Sequence, residues 1–325
     1  MEKLLIVNVP VANLRRKPVD ATLEYVHDDL QETQVLYNEV LLYKDENKDW
    51  YYVEAIEQQE FTHSNIWQGY PGWVRKKSAR VIDKYPEYDT VVVKNKIARI
   101  LHSPSETAGV LLTLSIGTRL WIKGKEASNE EYYQVELIDR TYGWVKKEDV
   151  NIMNKRVSED QIREKIVNTG KLFLGVPYLW GGRSMYIPEL QFGVHPKPEA
   201  RNQKLQSVAT GVDCSGLTNL VYRVNNIDVP RDAHEQWMKS EHITSEELKT
   251  GDLLFVSTEG NIHSINHVML YMGGEQFIEV SETGSFVRLN TLREKFGIGI
   301  SKLAQHHFLV DNKKIYCGRV ISAGF

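Results

Sequence analysis

Along the first 150 or so residues, apolar and polar positions alternate in short runs broken by Gly, Pro, Asn and Asp. That period of two predicts half-buried strands rather than helices. The runs also repeat. Gly72-Trp73-Val74-Arg75-Lys76-Lys77 returns as Gly143-Trp144-Val145-Lys146-Lys147-Glu148, and each follows an aromatic, β-branched run, Trp50–Ile56 and then Tyr132–Ile138. Each unit opens alike, Val11-Ala12-Asn13-Leu14-Arg15 against Ile97-Ala98-Arg99-Ile100-Leu101. Two small β-barrels are expected, divided near residues 83–89. The first carries an acidic insertion, Leu23–Leu36, that reads as helical, while charged pairs such as Lys76 and Lys77 read as a solvated face.

The period changes at Val157. Ser158 followed by Gln161 is a capping-box pattern, and Ile162, Ile166, Val167, Leu172 and Phe173 continue an apolar helical stripe that stops at Leu174-Gly175-Val176-Pro177. Tyr178-Leu179-Trp180-Gly181-Gly182-Arg183-Ser184 is an aromatic-glycine turn suited to a cleft wall. Residues 185–210 contain Pro188, Pro196 and Pro198 with little periodicity, and read equally as a lid or as an insertion. Gly211-Val212-Asp213 then delivers Cys214 to the start of a helix with Leu217, Leu220 and Val221 on one face. A second helix is expected over Ala233–Lys239 and a buried strand within Leu248–Val256. Asn266–Met272 and Gln276–Val280 form a hairpin about Gly273-Gly274, and closing strands, Phe308–Val310 among them, fill residues 287–325.

Composition narrows the classes. With 325 residues, 42% hydrophobic content and a net charge of -3, the chain suits a globular protein of two or three domains and gives no electrostatic case for nucleic acid or an anionic membrane. Two cysteines, Cys214 and Cys317, build no disulfide framework and suit a reducing compartment. The short apolar run in Met1–Pro10 falls below the length of a signal-peptide core, so the expected location is the cytoplasm.

Chemistry concentrates on three residues. A thiol at a helix N-terminus meets unpaired N–H groups that favour a thiolate and can receive an oxyanion. A buried structural cysteine is the alternative. His267 opens one hairpin strand and Glu279 lies on the other, and antiparallel pairing sets them on one face within hydrogen-bond reach. A lone strand histidine is more often structural. Paired with an acid and downstream of Cys214, it matches the nucleophile, base and orienting group of papain-like catalysis.

Pro177-Tyr178-Leu179-Trp180-Gly181-Gly182, Asp213-Cys214-Ser215-Gly216, Pro230-Arg231-Asp232, Gly251-Asp252-Leu253 and His267–Gly273 occur in the order of the NlpC-type cell-wall cysteine peptidases, which residues 157–325 resemble. The repeated units ahead of them resemble bacterial SH3-like domains. The resemblance implies an α+β protein: SH3-like domains at 1–85 and 86–152, and a papain-like domain at 153–325. Together they resemble cytoplasmic γ-D-glutamyl-L-diamino acid endopeptidases that recycle murein tri- and tetrapeptides. Cys214 is then the nucleophile and His267 the base. Glu279 stands where the family usually has a histidine, its carboxylate accepting the imidazole Nδ1–H. Tyr178 is an oxyanion donor or a structural ring packed on Trp180, which is also expected to meet substrate.

For the substrate, the resemblance places the free amine of L-Ala on Asp213 and Asp232, with Glu39 and Tyr70 of the first SH3-like domain closing that end. Asp213, whose charge would raise the thiol pKa if aimed at it, is expected to turn away and either cap the helix or meet that amine. Ser215 and Arg231 are candidates for the α-carboxylate of D-Glu, with a structural salt bridge as the alternative for Arg231. No metal or organic cofactor is implied. Adjacent His306 and His307 point to opposite faces of a strand. Two rival readings stay open: a non-catalytic murein-peptide binding module, and an acyltransferase or amidase using the same dyad.

Overall fold

The computed structural model describes residues 2–20, 27–85, 90–123, 129–153, 157–186, 210–258, 261–303, 309–310 and 313–321. The segment 187–209 and the pair His306-His307 lie outside the described residues. The chain forms two compact units, Met1–Glu57 with Gln68–Lys155 and Leu179–Gly211, and Gln58–Trp67 with Arg156–Tyr178 and Val212–Phe325.

In the first unit, the alternating runs become β1 (Leu4–Val7), β2 (Val11–Arg15), β3 (Gln31–Leu36), β4 (Val40–Asn47), β5 (Trp50–Glu60), β6 (Gln68–Arg75) and β7 (Ala79–Ile82). They recur as β8 (Thr90–Val93), β9 (Ile97–Leu101), β10 (Val110–Ser115), β11 (Arg119–Ile122), β12 (Tyr132–Glu136), β13 (Tyr142–Lys146) and β14 (Val150–Ile152). The first sheet runs β3-β2-β6-β5-β4-β1-β7 and the second β10-β9-β13-β12-β11-β8-β14. Adding seven to each label of the first order yields the second, so the sequence repeat is a repeat of topology. The two sheets share a core, in which Ile6, Tyr37 and Val40 pack with Val91, Leu120 and Val135. The Ile138 N–H donates to the Tyr37 hydroxyl across this seam (3.0 Å).

The helical reading of residues 23–36 fails over its second half. Gln31–Leu36 is strand, buried at all six positions. It pairs with β2 from Val11↔Leu36 to Leu14↔Thr33, and Gln34 Nε2 donates to Asn13 Oδ1 (3.1 Å). Ladder pairing outweighs a weak local helix preference. Residues 21–26 lie outside the described set.

The recurring glycine of the Gly-Trp-Val motif has a steric cause. A Cβ on Gly72 would sit 2.6 Å from Leu14 Cγ, and one on Gly143 would collide with Ile100 Cγ2, the equivalent neighbour in the second copy. Both glycines let a strand cross β2 or β9 at closest approach.

The remaining elements are α1 (Glu159–Leu172), β15 (Arg183–Ser184), β16 (Gly211–Val212), α2 (Cys214–Val224), α3 (Ala233–Lys239), β17 (Glu241–Ile243), β18 (Leu253–Ser257), β19 (Ile265–Gly273), β20 (Gln276–Glu279), β21 (Arg288–Thr291), α4 (Leu292–Phe296), α5 (Ile300–Leu303), β22 (Leu309–Val310) and β23 (Lys313–Arg319). The second unit is built on the antiparallel order β17-β23-β18-β19-β20-β21, with β22 beside β23. The capping box at Ser158 and Gln161 is present. Helices α2 and α3 pack on β19, and α1 packs on α2. Side chains alternate along β19. Leu270 faces Gly170 of α1, while Met269 and Tyr271 join Phe277, Leu292 and Phe296 in a cluster on the other face. The β19–β20 turn is made by Gly273 and Gly274 at φ +100° and +63°, a region that side chains disfavour.

The buried Asp252 pins the sheet to α1. It accepts from Arg163 Nη1 (2.9 Å), Arg319 Nη2 (2.8 Å) and the Lys249 N–H (2.9 Å).

Gly143→Ala is expected to destabilise the first unit by about 1–3 kcal/mol through overpacking against Ile100. Urea unfolding followed by circular dichroism checks this, and an unchanged midpoint would show that the crossing tolerates a methyl group.

Candidate active site

The site starts at the turn into α2. Asp213 is the N-cap, with extended backbone (φ -89°, ψ -179°), and the Gly216 N–H donates to its Oδ1 (2.6 Å). Arg231 clamps the same carboxylate with two bonds, Nη1 to Oδ1 (3.0 Å) and Nη2 to Oδ2 (2.6 Å), and Nη1 also donates to Ser215 Oγ (2.9 Å). Gln236 of α3 donates to the carbonyls of Ser215 (3.1 Å) and Pro230 (2.9 Å). A satisfied polar network therefore fixes the backbone that presents Cys214. Of the two orientations open to Asp213, the structure shows the helix cap.

That clamp also changes two expected roles. Arg231 is fully buried and Ser215 is 5% exposed, and both bond to Asp213 inside the fold. They brace the turn that presents Cys214, which for Arg231 is the salt-bridge alternative. Asp232 differs from both. It is the N-cap position of α3 but makes no side-chain cap bond, and its side chain is 40% exposed.

Cys214 is partly exposed. The backbone N–H groups of Val268 and Ser215 are directed at its sulfur and favour a thiolate, yet burial first and the Asp213 charge second push the thiol up to about 12. The helix N-terminus does not by itself make this cysteine a standing thiolate. The Val268 contact places the sulfur beside β19 at the residue after His267.

His267 owes its position to an irregular ladder. Val256 pairs with His267 but Ser257 pairs with Ile265, so Asn266 is an extra residue in β19, a bulge of the kind that re-aims a neighbouring side chain. Leu270↔Ile278 and Tyr271↔Phe277 set the hairpin register. Continued, it puts Glu279 opposite Met269, so His267 meets Glu279 on the diagonal of one face. The contact is His267 Nε2 to Glu279 Oε2 at 3.0 Å. The expected Nδ1 bond is thus corrected: Nε2 takes the acid, which leaves Nδ1 as the ring nitrogen not bonded to Glu279. Burial holds the imidazole below its ordinary pKa against the raising effect of the Glu279 bond, with Lys295 and Lys313 adding to the lowering.

Glu279 is fully buried and stays ionised. Burial opposes its charge, but the His267 bond and the Lys295 charge overcome this and hold the carboxyl well below the usual range. Arg288 Nη2 (3.1 Å) and Asn290 Nδ2 (3.2 Å) donate to Oε1, and Lys295 Nζ donates to Oε2. The sequence reading missed all three. Arg288 lies directly opposite Glu279 in the β20–β21 ladder, a register that only a defined β21 could have exposed.

Tyr178 enters through main-chain bonds, its N–H donating to the Ser285 carbonyl (2.9 Å) and its backbone bridging Val212. Burial, then the charge of Asp213 and the proximity of Cys214, raise its phenol pKa, so the hydroxyl is a neutral donor. The other three expected residues belong to the first unit. Glu39 is buried and ion-paired with buried Arg183 (2.5 Å), which differs from an acid at a cleft rim. Tyr70 is buried, donating to Glu32 Oε2 (3.4 Å). Trp180 is 40% exposed, its carbonyl accepting from Gln31 Nε2 (2.8 Å).

A cysteine on a helix start, beside a strand that carries an acid-paired histidine, is the constellation of a thiol peptidase. Residues 175–299 match the NlpC/P60 family. The chain carries an NlpC/P60 cysteine peptidase domain. Over 283 residues the protein is 28% identical to the gamma-D-glutamyl-L-lysine dipeptidyl-peptidase of Bacillus subtilis, spanning 86% of this chain and 82% of that one. It is 27% identical over 267 residues to the protein so named in Bacillus cereus, spanning 80% and 70%. The crystal structure of an NlpC/P60 family protein from Bacillus cereus aligns at TM-score 0.70 and 21% identity, over 97% of this chain and 98% of that one. This NlpC/P60 domain has the family's papain-like fold, and the β-rich region ahead of it is consistent with SH3-like domains.

Because burial raises the thiol and lowers the imidazole, iodoacetamide alkylation of Cys214 is expected to climb continuously from about pH 6 to about pH 10. A preformed thiolate–imidazolium pair would instead give a rate already on its plateau at the acid end. Mass spectrometry of the Cys214 peptide reads the rate.

Proposed function

We propose that this protein is a γ-D-glutamyl-L-diamino acid endopeptidase, cutting the bond between γ-D-Glu and diaminopimelate or L-Lys in murein peptides with a free N-terminal L-Ala. The observation that carries the reading is the His267 Nε2–Glu279 bond on a strand whose next N–H meets the Cys214 sulfur. Likeness across most of the chain to proteins named gamma-D-glutamyl-L-lysine dipeptidyl-peptidase supports the choice of substrate.

In this mechanism, His267 Nδ1 takes the Cys214 proton as the sulfur attacks the γ-carbonyl carbon. The tetrahedral oxyanion is met by the Cys214 backbone N–H and the neutral Tyr178 hydroxyl. The imidazolium, steadied by Glu279, returns its proton to the leaving α-amine of the diamino acid and leaves a thioester. Water, deprotonated by the same imidazole, then releases L-Ala-γ-D-Glu and restores the thiol. Asp232, half exposed one residue from the Arg231 clamp, is the acid best placed in the second unit to receive the L-Ala ammonium. A requirement for that free amine confines the enzyme to peptides already cut from the glycan, where the amine is no longer acylated. Recycling of such peptides in the cytoplasm, with SH3-like modules at 1–85 and 86–152, completes the proposal.

Incubation with L-Ala-γ-D-Glu-diaminopimelate, and with the L-Lys analogue, is expected to release L-Ala-γ-D-Glu. Cys214→Ala should lose about 10⁴-fold or more, and Glu279→Gln about 10- to 1,000-fold in kcat. The N-acetylated peptide should remain intact. Equal cleavage of acetylated and free peptide would remove the amine requirement, and acyl transfer in place of hydrolysis would reassign the reaction.

A further inference from the structure

Glu279 is surrounded by more positive charge than an orienting carboxylate needs. Oε2, the oxygen that meets His267 Nε2, also accepts from Lys295 Nζ, while Oε1 takes Arg288 and Asn290. The four donors come from three elements: His267 from β19, Arg288 and Asn290 from β21, Lys295 from α4. The other charged group acting on His267 is Lys313 of β23, and the N–H of the next residue, Val268, meets the Cys214 sulfur of α2. α4 is placed to deliver its lysine. Thr291 caps it through the Glu294 N–H, and Leu292 and Phe296 anchor it in the core beside Phe277, leaving Lys295 18% exposed at the buried acid.

An acid that faces an imidazole alone both orients it and stabilises its protonated form. When an ammonium shares the same oxygen, orientation is kept and much of that stabilisation is cancelled. We propose that Lys295 is a positioning residue: by sharing Oε2 of Glu279 it aims His267 through a fully ionised acid while keeping the imidazole an uncharged base in the resting enzyme. The inference rests on reading His267 as the general base. It adds that the low-pH limit of activity, where imidazolium can no longer take the thiol proton, is set by a residue that touches neither substrate nor nucleophile. The lysine at this point suits a chain with glutamate at 279, because a neutral partner of the imidazole would need no counter-ion.

The test is titration of His267 in the full chain by NMR of ¹³C-labelled histidine, its resonance assigned by loss in His267→Asn. Lys295→Met is expected to raise the His267 midpoint by about one pH unit, the scale of one nearby charge at partial burial. The acid limb of kcat/KM should move upward equally. Lys295→Arg, which keeps the charge, should stay within a few tenths of wild type. A midpoint unchanged or lowered in Lys295→Met overturns the proposal, as does an equal rise in Lys295→Arg. Should Lys295→Met fail to fold, Lys295→Gln, which removes the charge but keeps a donor at Oε2, is expected to raise the midpoint in the same direction, and no rise overturns the proposal. The titration needs no substrate. Expected shifts in an enzyme that cuts no γ-D-glutamyl peptide would leave Lys295 in its role and remove the substrate assignment.

Discussion

A carboxylate drawn out of water must find donors, and that requirement shapes this site twice, at partly exposed Asp213 and at fully buried Glu279. Asp213 is closed by the Gly216 N–H and the two arms of Arg231, and Glu279 by His267, Lys295, Arg288 and Asn290. Removing a buried partner from the Glu279 cluster costs about 3–5 kcal/mol, because the remaining buried charge cannot be rehydrated. Each cluster ties loops and strands far apart in sequence to one geometry. The first holds the backbone at Cys214, and the second holds the ring of His267.

The two clusters act on the chemistry in opposite senses. Asp213, needed to cap α2, raises the Cys214 thiol, and the Arg231 clamp offsets part of this charge. Glu279 favours imidazolium, and Lys295 offsets that in turn. Burial thus favours the uncharged form of both the thiol and the imidazole.

Much of this was legible in the chain. The duplicated Gly-Trp-Val runs announced a repeated sheet, and β2 and β9 begin and end at the residues that the alternation marks. Ser158-Gln161 and the Gly273-Gly274 turn are local signals whose physics is complete within a few residues. Non-local pairing was not legible. Gln31–Leu36 is polar and acidic by composition, and only its partner β2 makes it a buried strand. Arg231 reads as a ligand group because a lone arginine in a motif carries no sign of the carboxylate it meets, and Asp213 is eighteen residues away in sequence. Glu39 likewise hides its partner Arg183. The His267–Glu279 pair was visible because a hairpin makes it local. The nitrogen involved was not, since that depends on the ring rotamer and the bulge at Asn266.

In the proposed reaction the Cys214 sulfur bonds to the γ-D-glutamyl carbonyl carbon and His267 takes its proton. It is tested most directly with an L-Ala-γ-D-Glu chloromethyl ketone, which puts an electrophilic carbon at the scissile position, followed by peptide mapping of the modified protein. The account predicts a single adduct on Cys214, formed much faster than by iodoacetamide and slowed in His267→Ala. Modification at Cys317, or labelling of Cys214 no faster than by iodoacetamide and indifferent to His267→Ala, would contradict it.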